Sequence, residues 1–275
     1  MIEVTPFLTA YYTIIAFLLG TVMASFLGCM GWRMCKGESV LKGRSHCDAC
    51  NHVLGARDLI PVVSYLMSKG RCRYCGAKIS PLNFYGELSL GLLFGVVTFI
   101  YRHPFQLEYV LVLFFFSVLY LVTVTDIYEQ IIPDGAIITA IVVKVVYVII
   151  LYIEEPALWS KLLGILIDGL VVSLPLLILV LIMEKILKKE AMGGGDIKLL
   201  FVTGLYLGWA RNILVVFFAC IIGIVVASIQ QKKMMTEEEE AEETFYFPFG
   251  PSIAVSAVLM YFVGNPILDW YLSLM

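Results

Sequence analysis

A chain of 275 residues that is 60% hydrophobic and only 15% charged is not a soluble globular domain. Its mean hydropathy is +0.91, and its apolar residues come in blocks of helix-spanning length, so the expected fold class is an all-α polytopic membrane protein in a lipid bilayer. The net charge of −3 matters less than where the charges lie, and no nucleic-acid partner is expected.

From Val4 to Trp32 there is no Asp, Glu, Lys or Arg. The start carries Glu3 and no basic residue, and no small-residue cleavage site follows. A retained first span is therefore expected rather than a signal peptide. Apolar blocks lie near 8–31, 86–101, 107–126, 135–153, 161–186, 196–209, 211–229 and 251–271, about eight spans. The 196–209 block is short and is divided from the next only by Gly208, Trp209 and Arg211, so seven is the rival count. With the N-terminus outside, the inner loops hold fifteen Lys and Arg against three outside, which favours eight spans and this orientation.

The inner segment 32–84 carries "CDAC" (Cys47, Cys50) and "CRYC" (Cys72, Cys75). Four thiolates in two such pairs can close a tetrahedral zinc site. Asn51 and Gly76 follow the second cysteine of each pair and tolerate the left-handed backbone that turns amides toward sulfur. The insert faces the cytosol, where disulfides are disfavoured. The metal expected is a structural zinc, and a closed four-cysteine site leaves no open position for catalysis. The apolar stretch "DLIPVVSYLM" (58–67) lies on the membrane surface, packs on the helices or forms the core of this small module. The expected division is 1–31 as first span, 32–84 as zinc insert and 85–275 as the remaining membrane part.

Three carboxylates stand at the inner ends of spans: Asp126 closing the third, Asp134 opening the fourth and Asp196 opening the sixth after Gly193, Gly194 and Gly195. Carboxylates at or within spans are functional candidates, although a boundary aspartate can simply cap a helix, the reading favoured for Asp134 in "IIPDG". The helix dipole favours the anion of Asp196. Two aspartates from different helices can share one proton, one acting as base on a water and the other as acid on a peptide carbonyl. Deeper in the spans, Lys144 and Asp168 fall at similar depth and are expected to pair, the alternative being that Lys144 snorkels outward and Asp168 faces a water pocket. "TEEEEAEETF" (236–245) is a solvated acidic loop or a lure for a basic substrate segment.

The set "D-x6-P-D" (Asp126 to Pro133 and Asp134), "GGGD-x-K" (Gly193, Gly195, Asp196, Lys198) and "PFGP" (Pro248, Phe249, Gly250, Pro251) resembles the motif set of the type IV prepilin peptidases, membrane aspartic proteases of the GxGD class. "CDACNHVL" and "DLIPVVSYLMSKGRCRYCGAKIS" resemble that family's four-cysteine cytosolic loop. The resemblance implies that Asp126 and Asp196 are the catalytic dyad and Asp134 a supporting residue. It implies a prepilin or pseudopilin substrate, cut after the glycine ending its basic leader at the cytosolic face of a bacterial cell membrane. Many members also methylate the new N-terminus with S-adenosylmethionine, a step tied to the cysteine loop. Two departures bear on that second activity: Ala24 and Gly28 stand where the family has glycine and asparagine, and "CDAC" lacks the common proline after the first cysteine. The rival classes are a transporter or channel with an intramembrane carboxylate relay, and a non-catalytic docking protein with a zinc module.

Overall fold

The computed structural model describes residues 5–40, 43–102, 106–188, 192–236 and 248–274. Among these residues there is no strand, only the isolated bridges His46–Val53 and Arg71–Lys78. The chain forms two compact units, Met1–Tyr128 and Glu129–Met275.

The first unit holds α1 (Pro6–Cys35), the short α2 (Val63–Met67), α3 (Pro81–Tyr101) and α4 (Leu107–Glu129). Helices α1 and α3 start alike, with a hydroxyl cap before a proline whose missing N–H costs nothing in the first turn. Thr5 accepts from the Leu8 amide and Ser80 from the Leu82 amide. The two helices then run antiparallel in backbone contact. A Cβ on Gly20 would stand 2.7 Å from the Leu90 carbonyl oxygen, and one on Gly91 would stand 2.6 Å from Thr21 Cγ2. Small residues let the helices approach closely enough for dispersion forces to hold them where lipid supplies no hydrophobic drive. Helix α4 joins them through a Thr98–Tyr109 hydroxyl pair at 2.8 Å and through the Tyr120 side chain, which fits beside Gly28 and Gly86.

Between α1 and α3 the insert exposes its apolar stretch. Leu59, Ile60, Val63, Leu66 and Met67 are all exposed, so segment 58–67 is not the core of the small module.

The second unit holds α5 (Asp134–Tyr152), α6 (Leu158–Leu187), α7 (Gly194–Leu207), α8 (Trp209–Thr236) and α9 (Gly250–Ser273). Helices α6 and α7 meet at Gly169 and Gly204, where a Cβ on Gly204 would stand 2.5 Å from the Asp168 carbonyl oxygen. Gly208, at φ +84, breaks the chain between α7 and α8. A buried polar set fastens that turn: Thr203 donates to Asn212 Oδ1 at 2.7 Å, and Asn212 Nδ2 donates to the Leu200 carbonyl at 2.9 Å. Tyr206 on α7 donates to the Ala140 carbonyl of α5 at 2.9 Å.

Each apolar block of the sequence lies on a helix, but not every one of these helices reaches spanning length. Among the described residues, seven helices are long and apolar enough to cross a membrane by length and composition. The exception is α7, whose 14 residues rise about 21 Å against a hydrocarbon core of about 30 Å. It is apolar because it is buried: Ile197, Leu199, Leu200, Val202, Leu205 and Leu207 are all inside. The expected pair between Lys144 and Asp168 is not formed either. Lys144 Nζ lies 5.4 Å from the ring centres of both Tyr147 and Tyr206, a cation–π arrangement. Asp168 instead accepts the Trp209 amide at 3.2 Å. Most of the acidic stretch at 236–245 lies outside the described residues.

Candidate metal centre and helix-end carboxylates

The two cysteine pairs lie on two turns of the same construction. In the first, Cys47 N–H bonds the His52 carbonyl and Asn51 N–H bonds the Cys47 carbonyl, with Asn51 at φ 55. In the second, Cys72 N–H bonds the Ala77 carbonyl and Gly76 N–H bonds the Cys72 carbonyl, with Gly76 at φ 76. These left-handed residues are the ones the sequence marked, and they reverse the chain so that both cysteines of a pair face one point. Asp58 steadies the second turn. Its carboxylate accepts from Tyr74 Oη at 3.0 Å and the Gly55 amide at 3.1 Å, and meets Arg73 Nε at 3.4 Å. The Asp58 bond pushes the Tyr74 phenol up from its ordinary value.

The four Sγ atoms of Cys47, Cys50, Cys72 and Cys75 lie within 4.8 Å of one another, and Cys47 and Cys75 are 3.9 Å apart. Four sulfurs about 2.3 Å from one zinc ion stand roughly 3.8 Å apart, so the donor set fits a tetrahedral Zn²⁺. The thiols are free, with no disulfide among them. Without a cation their ionisation is in conflict. Backbone N–H groups of Cys75 and Tyr74 pull Cys72 down to about 7. The Ala77 amide pulls on Cys75, but desolvation and the thiols of Cys50, Cys72 and Cys47 outweigh it and push that group up to about 11. One thiolate forms readily and its neighbour then resists, a conflict that a bound dication removes. All four positions are taken by protein, so such a metal holds the loops together.

The carboxylates of the sequence motifs sit at helix ends. Asp126 lies in the last turn of α4 and is buried, at 5% exposure. Asp196 is the third residue of α7 and half-buried, with its N–H on the Gly193 carbonyl at 3.0 Å. Its carboxylate folds back over Gly193, where a Cβ would stand 3.2 Å from Oδ2. A Cβ on Gly195 would stand 2.9 Å from Ile132 Cβ, so that glycine lets α7 approach the segment leading into α5. Asp126 belongs to the first unit and Asp196 to the second.

Asp134 opens α5 behind Pro133, as a helix-start residue should, and it also meets Lys198 of the "GGGD-x-K" stretch with Nζ–Oδ1 at 2.6 Å. Both groups are exposed, so the pair contributes little stability, about 0–1 kcal/mol. It does tie two motif segments that lie far apart in sequence. "PFGP" builds the start of α9: Phe249 is its cap, Gly250 is buried, and Pro251 occupies the first turn. Glu87, the seventh residue of α3, is absent from the sequence-derived set. It carries the same signal as Asp126, a carboxylate at the edge of an apolar block.

Residues 18–101 match the bacterial peptidase A24 N-terminal domain, and residues 113–228 match the type IV leader peptidase family. The chain is 29% identical over 260 residues to a prepilin leader peptidase/N-methyltransferase of Bacillus subtilis (strain 168), covering 94% of this chain and 98% of that one. It is 30% identical over 241 residues to a protein of the same name from Aeromonas salmonicida (strain A449), covering 84% of this chain and 75% of that one. A third, from Myxococcus xanthus (strain DK1622), is 29% identical over 215 residues, 78% of this chain and 62% of that one. No solved structure matches the chain.

Proposed function

We propose, from the premise that this chain belongs to the type IV leader peptidase family, that it is a membrane aspartic endopeptidase which removes the basic leader of a type IV prepilin or pseudopilin after a glycine and then N-methylates the new terminus. The observation that carries the protease reading is the form of the "GGGD" start of α7. The third helical residue is an aspartate whose carboxylate lies close over the glycine before the helix, where a Cβ would stand 3.2 Å from Oδ2.

In this reading Asp126 and Asp196 supply the two carboxyl groups of an acid–base pair. One, ionised, takes a proton from a water molecule. The other, protonated, gives its proton to the oxygen of the scissile carbonyl as the water adds to the carbon. The tetrahedral adduct then collapses, the C–N bond breaks, and a proton passes to the leaving amine. Two carboxylates held close cannot both ionise easily, so one proton is shared, and this makes acid and base available at once. Asp134 supports the site through its ion pair with Lys198 and takes no proton. The zinc expected on Cys47, Cys50, Cys72 and Cys75 supplies structural cross-linking only.

The functional division follows the sequence, with 1–31 as an anchoring span, 32–84 as the zinc insert and 85–275 as the protease part. The N-terminus is outside and the active site at the cytosolic face of a bacterial cell membrane, a reading that counts α7 as a short eighth crossing and so puts fifteen basic residues in the inner loops against three outside. The methyl donor is S-adenosylmethionine.

The test is leader cleavage of a purified prepilin, read as a mass shift. Asp126→Asn and Asp196→Asn should each abolish it at wild-type protein levels in the membrane, because an amide is neither a carboxylate base nor a carboxylic acid. Asp134→Asn should retain clear activity. Full activity in either dyad variant overturns the aspartic mechanism.

A further inference from the structure

A cavity of about 420 Å³ lies within the first unit, lined in part by Ser25, Tyr65, Phe84, Glu87 and Tyr120. That volume is in the range of sites that enclose a small organic ligand. Neither the proposed peptide cleavage nor the metal centre uses these side chains.

Glu87 is the group that needs explaining. It is a half-buried carboxylate inside an apolar helix, and its Oε2 accepts the Val62 amide at 2.6 Å. The Ser25 side chain lines the same cavity. Val62 stands at φ 63 and ψ −52, with the Val63 N–H on the Pro61 carbonyl at 2.6 Å. That is a positive-φ γ-turn centred on a β-branched residue, a rare and strained conformation. Strain of this kind persists only where the surroundings over-determine it, and it concentrates at functional sites. Here it aims a backbone N–H at one carboxylate oxygen.

Around Glu87 the walls are specific. The Tyr120 hydroxyl occupies a slot between α1 and α3, since a Cβ on Gly28 would stand 3.2 Å and one on Gly86 2.5 Å from its oxygen. Gly28 stands where the resembling family carries asparagine, so this chain puts a phenol hydroxyl beside that position. Tyr65 and Phe84 stack at 4.9 Å and 22°, an aromatic surface suited to the face of an adenine.

We propose that this cavity is the N-methylation site, that it takes S-adenosylmethionine, and that Glu87 is the base that deprotonates the pilin's new terminal amine. This rests on the methyltransferase half of the proposed function. The terminal amine has an ordinary pKa of about 7.7–8.0 and is mostly an ammonium without a lone pair at neutral pH. Its proton passes to the Glu87 carboxylate. The freed nitrogen lone pair forms the N–C bond to the methyl carbon as the C–S bond breaks, and that electron pair leaves on sulfur. S-adenosylhomocysteine departs as a neutral thioether, and Glu87 returns its proton to water. The Val62 amide holds the carboxylate in place throughout.

Two measurements on the full-length, detergent-solubilised protein test this. Calorimetric titration with S-adenosylhomocysteine reads the cavity directly. Ser64→Trp and, from the first cysteine loop, Ala49→Trp are built to fill it, and each should weaken binding at least tenfold while zinc content stays at the wild-type level. The methylated fraction of the mature product, followed against pH, reads Glu87. Glu87→Gln should slow methylation roughly 100-fold or more at pH 7. The residual rate should rise about tenfold per pH unit up to the amine's own pKa, because solvent must then take the proton. Unchanged S-adenosylhomocysteine affinity in both filled variants overturns the location. A wild-type methylation rate and pH profile in Glu87→Gln overturns the role of that residue. A wild-type protein that cleaves leader but neither binds S-adenosylhomocysteine nor methylates overturns the methyltransferase reading itself, a result distinct from the other two.

Discussion

Replacing the glycines before Asp196 one at a time separates three different constraints. At Gly194 a Cβ would meet nothing within 4 Å. Gly194→Ala therefore only removes freedom from the unfolded chain and should stabilise by about 0.4–1 kcal/mol. At Gly195 the new Cβ would stand 2.9 Å from Ile132 Cβ, closer than two carbons can sit. The start of α7 must then move away from the segment before α5, and overpacking of this kind costs about 1–3 kcal/mol. At Gly193 the Cβ would stand 3.2 Å from Asp196 Oδ2, so the carboxylate must give way by a few tenths of an ångström. Stability changes little there, but the displaced group is the proposed catalytic one. A misplacement of 1 Å can cost 100-fold in rate, so a fraction of that predicts a loss of roughly threefold to tenfold in kcat. The assays are leader cleavage at saturating prepilin and thermal unfolding in the same detergent. The expected order of kcat is wild type and Gly194→Ala highest, with Gly193→Ala below them at nearly unchanged Tm. Gly195→Ala should be the variant with the lowest Tm. A Gly193→Ala enzyme at the wild-type rate, beside an impaired Gly194→Ala enzyme, would refute the idea that the glycines serve the carboxylate's position.

The metal centre and the α7–α8 turn give two further expectations. Metal analysis of freshly prepared, unchelated protein should find about one zinc per chain, and replacing Cys47 and Cys50 together by serine should remove it and open residues 32–84 to limited proteolysis; a metal-free wild type would end that assignment. Asn212→Leu should lower stability by about 0.5–1.5 kcal/mol, because it removes the Asn212 bonds to Thr203 and to the Leu200 carbonyl while the Thr203 hydroxyl keeps that carbonyl as an acceptor at 3.0 Å; an unchanged Tm would show that the turn is held by packing alone.

Helix positions were legible in the sequence because a span in lipid must satisfy its own backbone, so an apolar run of sufficient length marks itself. The cysteine tetrad was legible for a related reason: a left-handed residue after each pair turns the short loop back and brings the two sulfurs of that pair together. Facts that depend on how helices rotate and approach were not legible. Depth along the axis put Lys144 level with Asp168, but rotation decides what a side chain faces, and Lys144 faces two tyrosine rings. Hydropathy marked α7 as apolar but not how short it is: its apolar residues answer to protein neighbours and its length to Gly208. The Asp134–Lys198 pair joins residues 64 positions apart, and the Val62–Glu87 bond spans 25. Contacts at such separations are set by packing of whole helices and by a strained turn, which no local pattern encodes, so they belong to the tertiary structure alone.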